Sequence, residues 1–159
     1  MHRKAAKLIK KLELEKHPEG GYFRQTYRSY TTVNVKGYGG QRNISTAIYY
    51  MLVGVQLSAF HRIRSDELWH HYAGGSITLC AIDNEGKLSK IKIGGGGTPQ
   101  AVIKAGTWFA ASLDSKRSYC LLGCTVSPGF DYRDWELGKR GELARTYPKH
   151  RKLIERYTK

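Results

Sequence analysis

No uninterrupted apolar run approaches the roughly 20 residues that a membrane-spanning helix needs, although hydrophobic residues make up 40% of the 159. The basic N-terminus, Met1 to Lys11, lacks the apolar segment of a signal peptide and has too little serine for a transit peptide. A soluble, cytoplasmic protein without membrane contact is therefore expected. Cysteine is scarce as well. Cys80, Cys120 and Cys124 are the only three, without CxxC spacing, which points away from a disulfide framework or zinc knuckle and toward reduced, buried thiols. Acidic residues are few, 13 against 27 lysines and arginines, for a net charge of +14. No helix-turn-helix, zinc finger or RNP-type aromatic strand accompanies that charge. Sixteen of the 27 basic residues fall in residues 1–28 and 139–159, so the excess reads mainly as solvated terminal helix faces. Non-specific nucleic-acid binding is the minority reading. The glycine run Gly94 to Pro99 is no phosphate loop, because neither Lys-Ser/Thr nor a helix follows it.

What the sequence does contain is short β-segments separated by glycine turns. Ala5, Leu8, Ile9 and Leu12 have the spacing of an amphipathic helix over 3–14. His17-Pro18-Glu19-Gly20-Gly21 stops it. Tyr22 to Ser29 predicts a strand with Phe23, Gln25 and Tyr27 on one face and Arg24, Thr26 and Arg28 on the other. Further strands are expected at 44–52, 53–57, 76–82, 88–93, 100–103, 107–112 and 118–127, with an edge strand at 130–136 whose carboxylates meet basic residues. A charged helical tail over 141–157, broken near Pro148, closes the chain. The expectation is one all-β domain spanning 1–159, a sandwich or barrel over about 20–137 with helical ends.

The densest chemistry lies in residues 60–75. Three of the six histidines (His61, His70, His71) fall there beside Asp66 and Glu67. Histidine and carboxylate are the side chains that bind transition metals or move protons near neutral pH. Strand alternation puts Glu67, Trp69 and His71 on one face and Asp66, Leu68, His70 and Tyr72 on the other. A bulge near Gly74-Gly75 would swap them, so the residue that accompanies His61 and Glu67 stays open between His70 and His71.

The spacing of His61, Glu67 and Gly74, with Gly54 nearly in register, resembles the first cupin motif, and Lys104-Ala105-Gly106-Thr107-Trp108-Phe109 resembles the second. With His17-Pro18-Glu19-Gly20-Gly21-Tyr22-Phe23-Arg24, Phe60-His61-Arg62, Ser65-Asp66-Glu67, Trp69-His70, Tyr72-Ala73-Gly74 and Pro128-Gly129-Phe130, the chain is similar to a small single-domain cupin family of unknown function. The resemblance implies a double-stranded β-helix (jelly-roll) barrel like that of deoxysugar-nucleotide epimerases, and a homodimer. It places Ile63 and Phe109, which cannot ligate, at two of the four metal-ligand slots. No cofactor is therefore required. A divalent transition metal held by His61, Glu67 and His70 or His71 is the alternative.

In a metal-free barrel, His61 and Glu67 are the expected catalytic pair, one supplying a general base or acid tuned by the other. Trp69, Trp108 and Phe109 are expected to line a pocket for a small molecule, sugar-like or anionic. Glu19, Gln25 and Arg28 would give polar contacts, and Tyr49, Tyr72 or Tyr119 an acid partner. The expected function is small-molecule binding, with isomerase or epimerase chemistry as the reaction the pair would support. The alternatives are a dioxygenase-like metal enzyme and a non-catalytic dimeric binding protein.

Overall fold

The fold begins with an amphipathic helix laid on a sheet. The computed structural model describes residues 2–158, so Met1 and Lys159, the outermost residues of the expected domain, lie outside it. Helix α1 (Arg3–Lys11) buries Ala5 and turns its lysines outward. It ends three residues before the 14 expected from periodicity, because Glu13 takes a left-handed φ of 51°. The strands that follow are β1 (Glu15–Lys16), β2 (Tyr22–Arg28), β3 (Thr32–Val33), β4 (Arg42–Asn43), β5 (Thr46–Val53), β6 (Leu57–Ile63) and β7 (Asp66–Gly74). Then come β8 (Ile77–Ile82), β9 (Leu88–Ile93), β10 (Gln100–Ile103), β11 (Trp108–Leu113), β12 (Tyr119–Ser127) and β13 (Trp135–Leu137). Helices α2 (Arg140–Thr146) and α3 (Arg151–Arg156) finish the chain, separated by a 3₁₀ turn at Pro148–His150.

The strands form a jelly roll of two facing antiparallel sheets. One has the order β1-β2-β5-β12-β7-β10, the other β13-β6-β11-β8-β9, and β3 pairs with β4 separately. Between them lies a core of Leu52, Trp69, Leu79, Phe109, Leu122 and their neighbours. Cys120 and Cys124 both point into it, four residues apart on one strand face as their spacing predicts. Each sheet is also covered on its outer side. Helix α1 packs on Met51, Val53 and Leu121, whereas α2 and α3 set Leu143 and Ile154 on Phe60, Trp108 and Ala110. The C-terminal tail is tied down where the Phe60 N–H donates to the Tyr157 carbonyl at 2.8 Å.

Two expected strands are corrected. The expected strand 53–57 is instead a turn over 54–56 between β5 and β6: Gly54 has φ 66°, and the Val53 N–H donates to Gln56 Oε1 at 2.9 Å. The stretch 130–136 begins as a 3₁₀ turn over Tyr132–Asp134, because the Asp131 carboxylate accepts the Arg133 N–H and caps it. Only β13 is extended. The carboxylates of that stretch do meet basic residues: Asp131 pairs with Arg133, Asp134 with Arg42 and Glu136 with Arg62.

Candidate functional site

The inner face of the six-stranded sheet is a grid set by strand register. Arg28, Thr46, Val126 and Glu67 lie in one row across β2, β5, β12 and β7, and Gln25, Ile48, Cys124 and Trp69 in the next. The opposite wall comes from His61 and Ile63 on β6 and from His17 and Glu19 in the turn before β2. Phe130, Asp131 and Tyr132 form the rim. Together they enclose a cavity of about 250 Å³.

Glu19 is the centre of its polar end. Gly20 (φ 120°) and Gly21 (φ 75°) make the turn that presents it, and the Gly20 N–H donates to the His17 carbonyl at 3.0 Å. The turn is pressed so closely on β6 that a Cβ on Gly20 would lie 2.1 Å from the Leu57 carbonyl oxygen. The Tyr50 hydroxyl locks it from the other side by donating to the Gly20 carbonyl at 2.7 Å. The buried Glu19 carboxylate accepts from Trp135 Nε1 at 2.8 Å and from Ser58 Oγ at 3.0 Å. His61 Nε2 stands 3.3 Å from Glu19 Oε1, and His17 Nδ1 lies 3.7 Å from Oε2.

Tautomers follow from these contacts. A carbonyl oxygen only accepts, so His61 Nδ1, 2.8 Å from the Ala59 carbonyl, carries a proton. That leaves Nε2 as the ring atom that exchanges a proton with Glu19 or with a ligand. His17 Nδ1 accepts the Glu19 N–H at 3.3 Å. Burial lowers the His17 pKa, opposed by the Glu19 carboxylate and helped by His61.

Glu67 faces a different environment. It is buried among Trp69, Cys124 and Val126, without the hydroxyl donor that serves Glu19. Desolvation, reinforced by the Glu19 charge, raises its pKa to about 8, against smaller opposing effects of the Trp69 and Cys124 side chains. Near neutral pH it is a carboxylic acid with a proton to donate. The same burial, with the Glu67 and Glu19 charges, pushes the Cys124 thiol well above its usual range, so it is no nucleophile. The Trp69 indole N–H beside Glu67 is buried and closes no hydrogen bond among the described residues. Two carboxyl groups held in contrasting surroundings around one histidine are an acid–base arrangement.

Of the residues singled out from sequence, Glu19, Gln25, Arg28, His61, Glu67 and Trp69 meet at this cavity. The others do not. Phe109 sits behind His61, ring centroids 4.1 Å apart, and packs in the core. Trp108, one residue out of phase, turns to the helical side beneath the Arg62 guanidinium. Tyr49 and Tyr72 meet edge to face on the outside of the sheet, where Tyr72 covers Gly123. The register of β7 against β12 slips at Tyr72, since Ala73 and His71 face consecutive residues of β12. Tyr119 lies on the same outer side against α1. His70 alternates with Trp69 and points away from the cavity. His71 has the inward parity, yet its Nε2 engages the Gly75 carbonyl at 3.1 Å, under Gly94 at the barrel end. Sequence reasoning missed His17, Ser58 and Trp135 as partners of Glu19. Only His17 had a visible signal, its place in the His-Pro-Glu-Gly-Gly turn.

The alternative metal set is thus not assembled, since neither His70 nor His71 joins His61 and Glu67 at the cavity. His61 Nδ1 is committed to a carbonyl, while Ile63 and Phe109 are apolar. Among the described residues no three His, Cys, Asp or Glu side chains are grouped to hold a metal ion. The donors present do not fit a cupin metal centre.

A sequence profile described as the cupin superfamily (DUF985) matches residues 6–138. A crystal structure of a Shewanella oneidensis protein is similar at 35% identity and a TM-score of 0.89, covering 98% of this chain and 97% of that one. A hypothetical protein from Leishmania major is similar at 32% identity and a TM-score of 0.90, covering 97% and 98%. An uncharacterized protein of Saccharomyces cerevisiae is 31% identical over 144 residues, 80% of this chain and 71% of its own length. Oxalate decarboxylase from Bacillus subtilis shares the fold at 14% identity and a TM-score of 0.57, covering 89% of this chain and 36% of its own.

Proposed function

The chain belongs to the cupin superfamily family DUF985, and from that premise we propose that it binds a small carbonyl-containing metabolite and moves a proton on it, as an isomerase or epimerase does. One observation carries the reading: His61, backed by Glu19, shares an otherwise largely apolar cavity with a Glu67 that holds its proton at neutral pH. His61 Nε2 is the base that removes a proton from the carbon next to the carbonyl, and Glu19 steadies the imidazolium. Glu67 gives its proton to the carbonyl oxygen, so the charge that would build on an enolate passes to the Glu67 carboxylate until the proton returns. Return of a proton to carbon and of the Glu67 proton completes an isomerisation without net oxidation. Ser58 and Trp135 hold Glu19 in place.

Proton exchange tests this directly. Sugars and short keto acids incubated in D₂O are followed by NMR for loss of the C–H next to the carbonyl. Exchange on at least one of them is expected, falling by roughly 10²–10⁴ in His61→Gln and in Glu67→Gln. Exchange no faster than in buffer across the set, or unchanged in both variants, would sink the reading.

A further inference from the structure

The proton transfer leaves one cavity residue without a task, and the backbone goes out of its way to put it there. Simple alternation along β2 would send Arg28 to the outer face with Arg24 and Thr26. Instead the pairing with β5 slips between Gln25 and Tyr27: Gln25 faces Ile48, Tyr27 faces Ala47 and Arg28 faces Thr46. Thr26 is the extra residue of a β-bulge, a device that re-aims side chains beside sites. Its effect is to throw Tyr27 out to solvent, 54% exposed, and to bring Arg28 onto the inner face at the cavity mouth.

Arg28 is then held still by neutral atoms only. Its Nη1 donates to Asn43 Oδ1 at 2.7 Å, its Nη2 to Gln25 Oε1 at 2.8 Å and to the Phe130 carbonyl at 3.2 Å, and its Nε to Gln25 Oε1 at 3.2 Å. The nearest rim carboxylate, Asp131, is taken by both Arg133 Nε (2.9 Å) and Nη2 (2.7 Å). Among the described residues Arg28 has no ion-pair partner, so an exposed positive charge, held in place and balanced only by solvent, stands at the cavity mouth.

We infer that Arg28 is the anchor for an anionic end of the ligand, a carboxylate or phosphate group, whose remainder reaches inward toward His61 and Glu67. The dimensions agree. Arg28 and Glu67 share one row of the sheet, three strand spacings or about 14 Å apart between Cα atoms. The cavity, about 250 Å³, suits a molecule the size of a sugar or short organic acid. The net charge of +14 draws such anions in by steering. This inference rests on the small-molecule site proposed above but not on its proton-transfer step.

Calorimetric titration with D-glucose 6-phosphate, glutarate and neutral D-glucose tests it, the first two separating phosphate from carboxylate recognition. At least one anion is expected to bind at millimolar concentration, with D-glucose about tenfold weaker or worse. Arg28→Gln should erase that preference, Arg28→Lys should keep part of it, and added salt should weaken it. Circular dichroism of both variants checks that the barrel is intact. No binding by either anion, equal binding of D-glucose, or an anion affinity unchanged in Arg28→Gln overturns the inference. The two proposals fail separately. Arg28-dependent anion binding without carbon–proton exchange removes only the acid–base reading. Exchange on neutral carbonyl compounds at equal rates in wild type and Arg28→Gln, with no Arg28-dependent anion binding, removes only this one.

Discussion

Glu67→Gln should change how stability depends on pH, and the size of the change follows from the burial of one carboxyl group. Its pKa moves from 4.5 in the unfolded chain to about 8 in the native barrel. Below 4.5 both states hold the proton and the group is neutral to stability. Between 4.5 and 8 the unfolded chain has released its proton and the native state has not, so stability falls by about 1.4 kcal/mol per pH unit. Above 8 both are ionised and the loss is complete, close to 5 kcal/mol in all. That is a large share of the 5–15 kcal/mol that holds an ordinary domain together. Glutamine fills the same space and has no proton to lose. Urea unfolding of both proteins across this range supplies the difference between their free energies, in which every other titrating group largely cancels. The wild type should lose stability relative to the variant as pH rises through the window and run parallel to it above about 8. Infrared spectroscopy offers a second check, since a protonated-carboxyl band should be present at neutral pH and vanish in the variant. Two free-energy curves that stay parallel between 4.5 and 8 would refute both the neutral state of Glu67 and its role as acid.

Gly20→Ala should unfold the turn that presents Glu19, because the added Cβ meets backbone rather than a flexible side chain and φ at this residue is 120°. A loss of about 2 kcal/mol or more is expected in thermal denaturation, together with loss of any proton exchange. Asp134→Ala strands the Arg42 guanidinium, which lies buried beneath the rim and donates to Asp134 Oδ1 at 2.8 Å. Destabilisation of about 3–5 kcal/mol is expected. Since Trp135 follows directly and bonds to Glu19, tryptophan fluorescence should report a loosened rim.

Much of the fold could be read before the structure, for reasons that local sequence carries. Apolar runs gave the strands expected at 118–127 and 76–82, the Asp83–Gly86 turn gave the hairpin to Leu88–Ile93, and the break at Pro148 divided the terminal helices. The errors fall where backbone geometry overrides alternation. Gly54 turned the start of a presumed strand into a corner, and the Asp131 cap made a 3₁₀ turn of what looked extended. The site was legible in part by the same logic. His61 and Glu67 were singled out by their resemblance to the first cupin motif and Glu19 as a polar contact near the mouth, and the three line one cavity. The partners of Glu19 were not: Ser58 lies 39 residues away and Trp135 116, and no local pattern announces a contact of that range.

The parity of a strand is a weak guide wherever a bulge intervenes, and here two bulges act on the two sides of the question. The slip at Tyr72 sits beyond Glu67 and Trp69, so those two keep the inward phase that alternation assigns them. The slip at Thr26 sits before Arg28, so the cation reverses phase and joins them. Removing the extra residue of the second bulge leaves Gln25 against Ile48, Tyr27 against Ala47 and Arg28 against Thr46 in unbroken alternation, so Arg28 keeps its inward phase. Deletion of Thr26 should therefore preserve anion preference in the calorimetric titration, whereas Arg28→Gln abolishes it, and the pH-dependent stability of Glu67 should persist in both. Anion preference lost on this deletion, in a barrel shown intact by circular dichroism, would mean that the inward phase of Arg28 is not what selects the ligand.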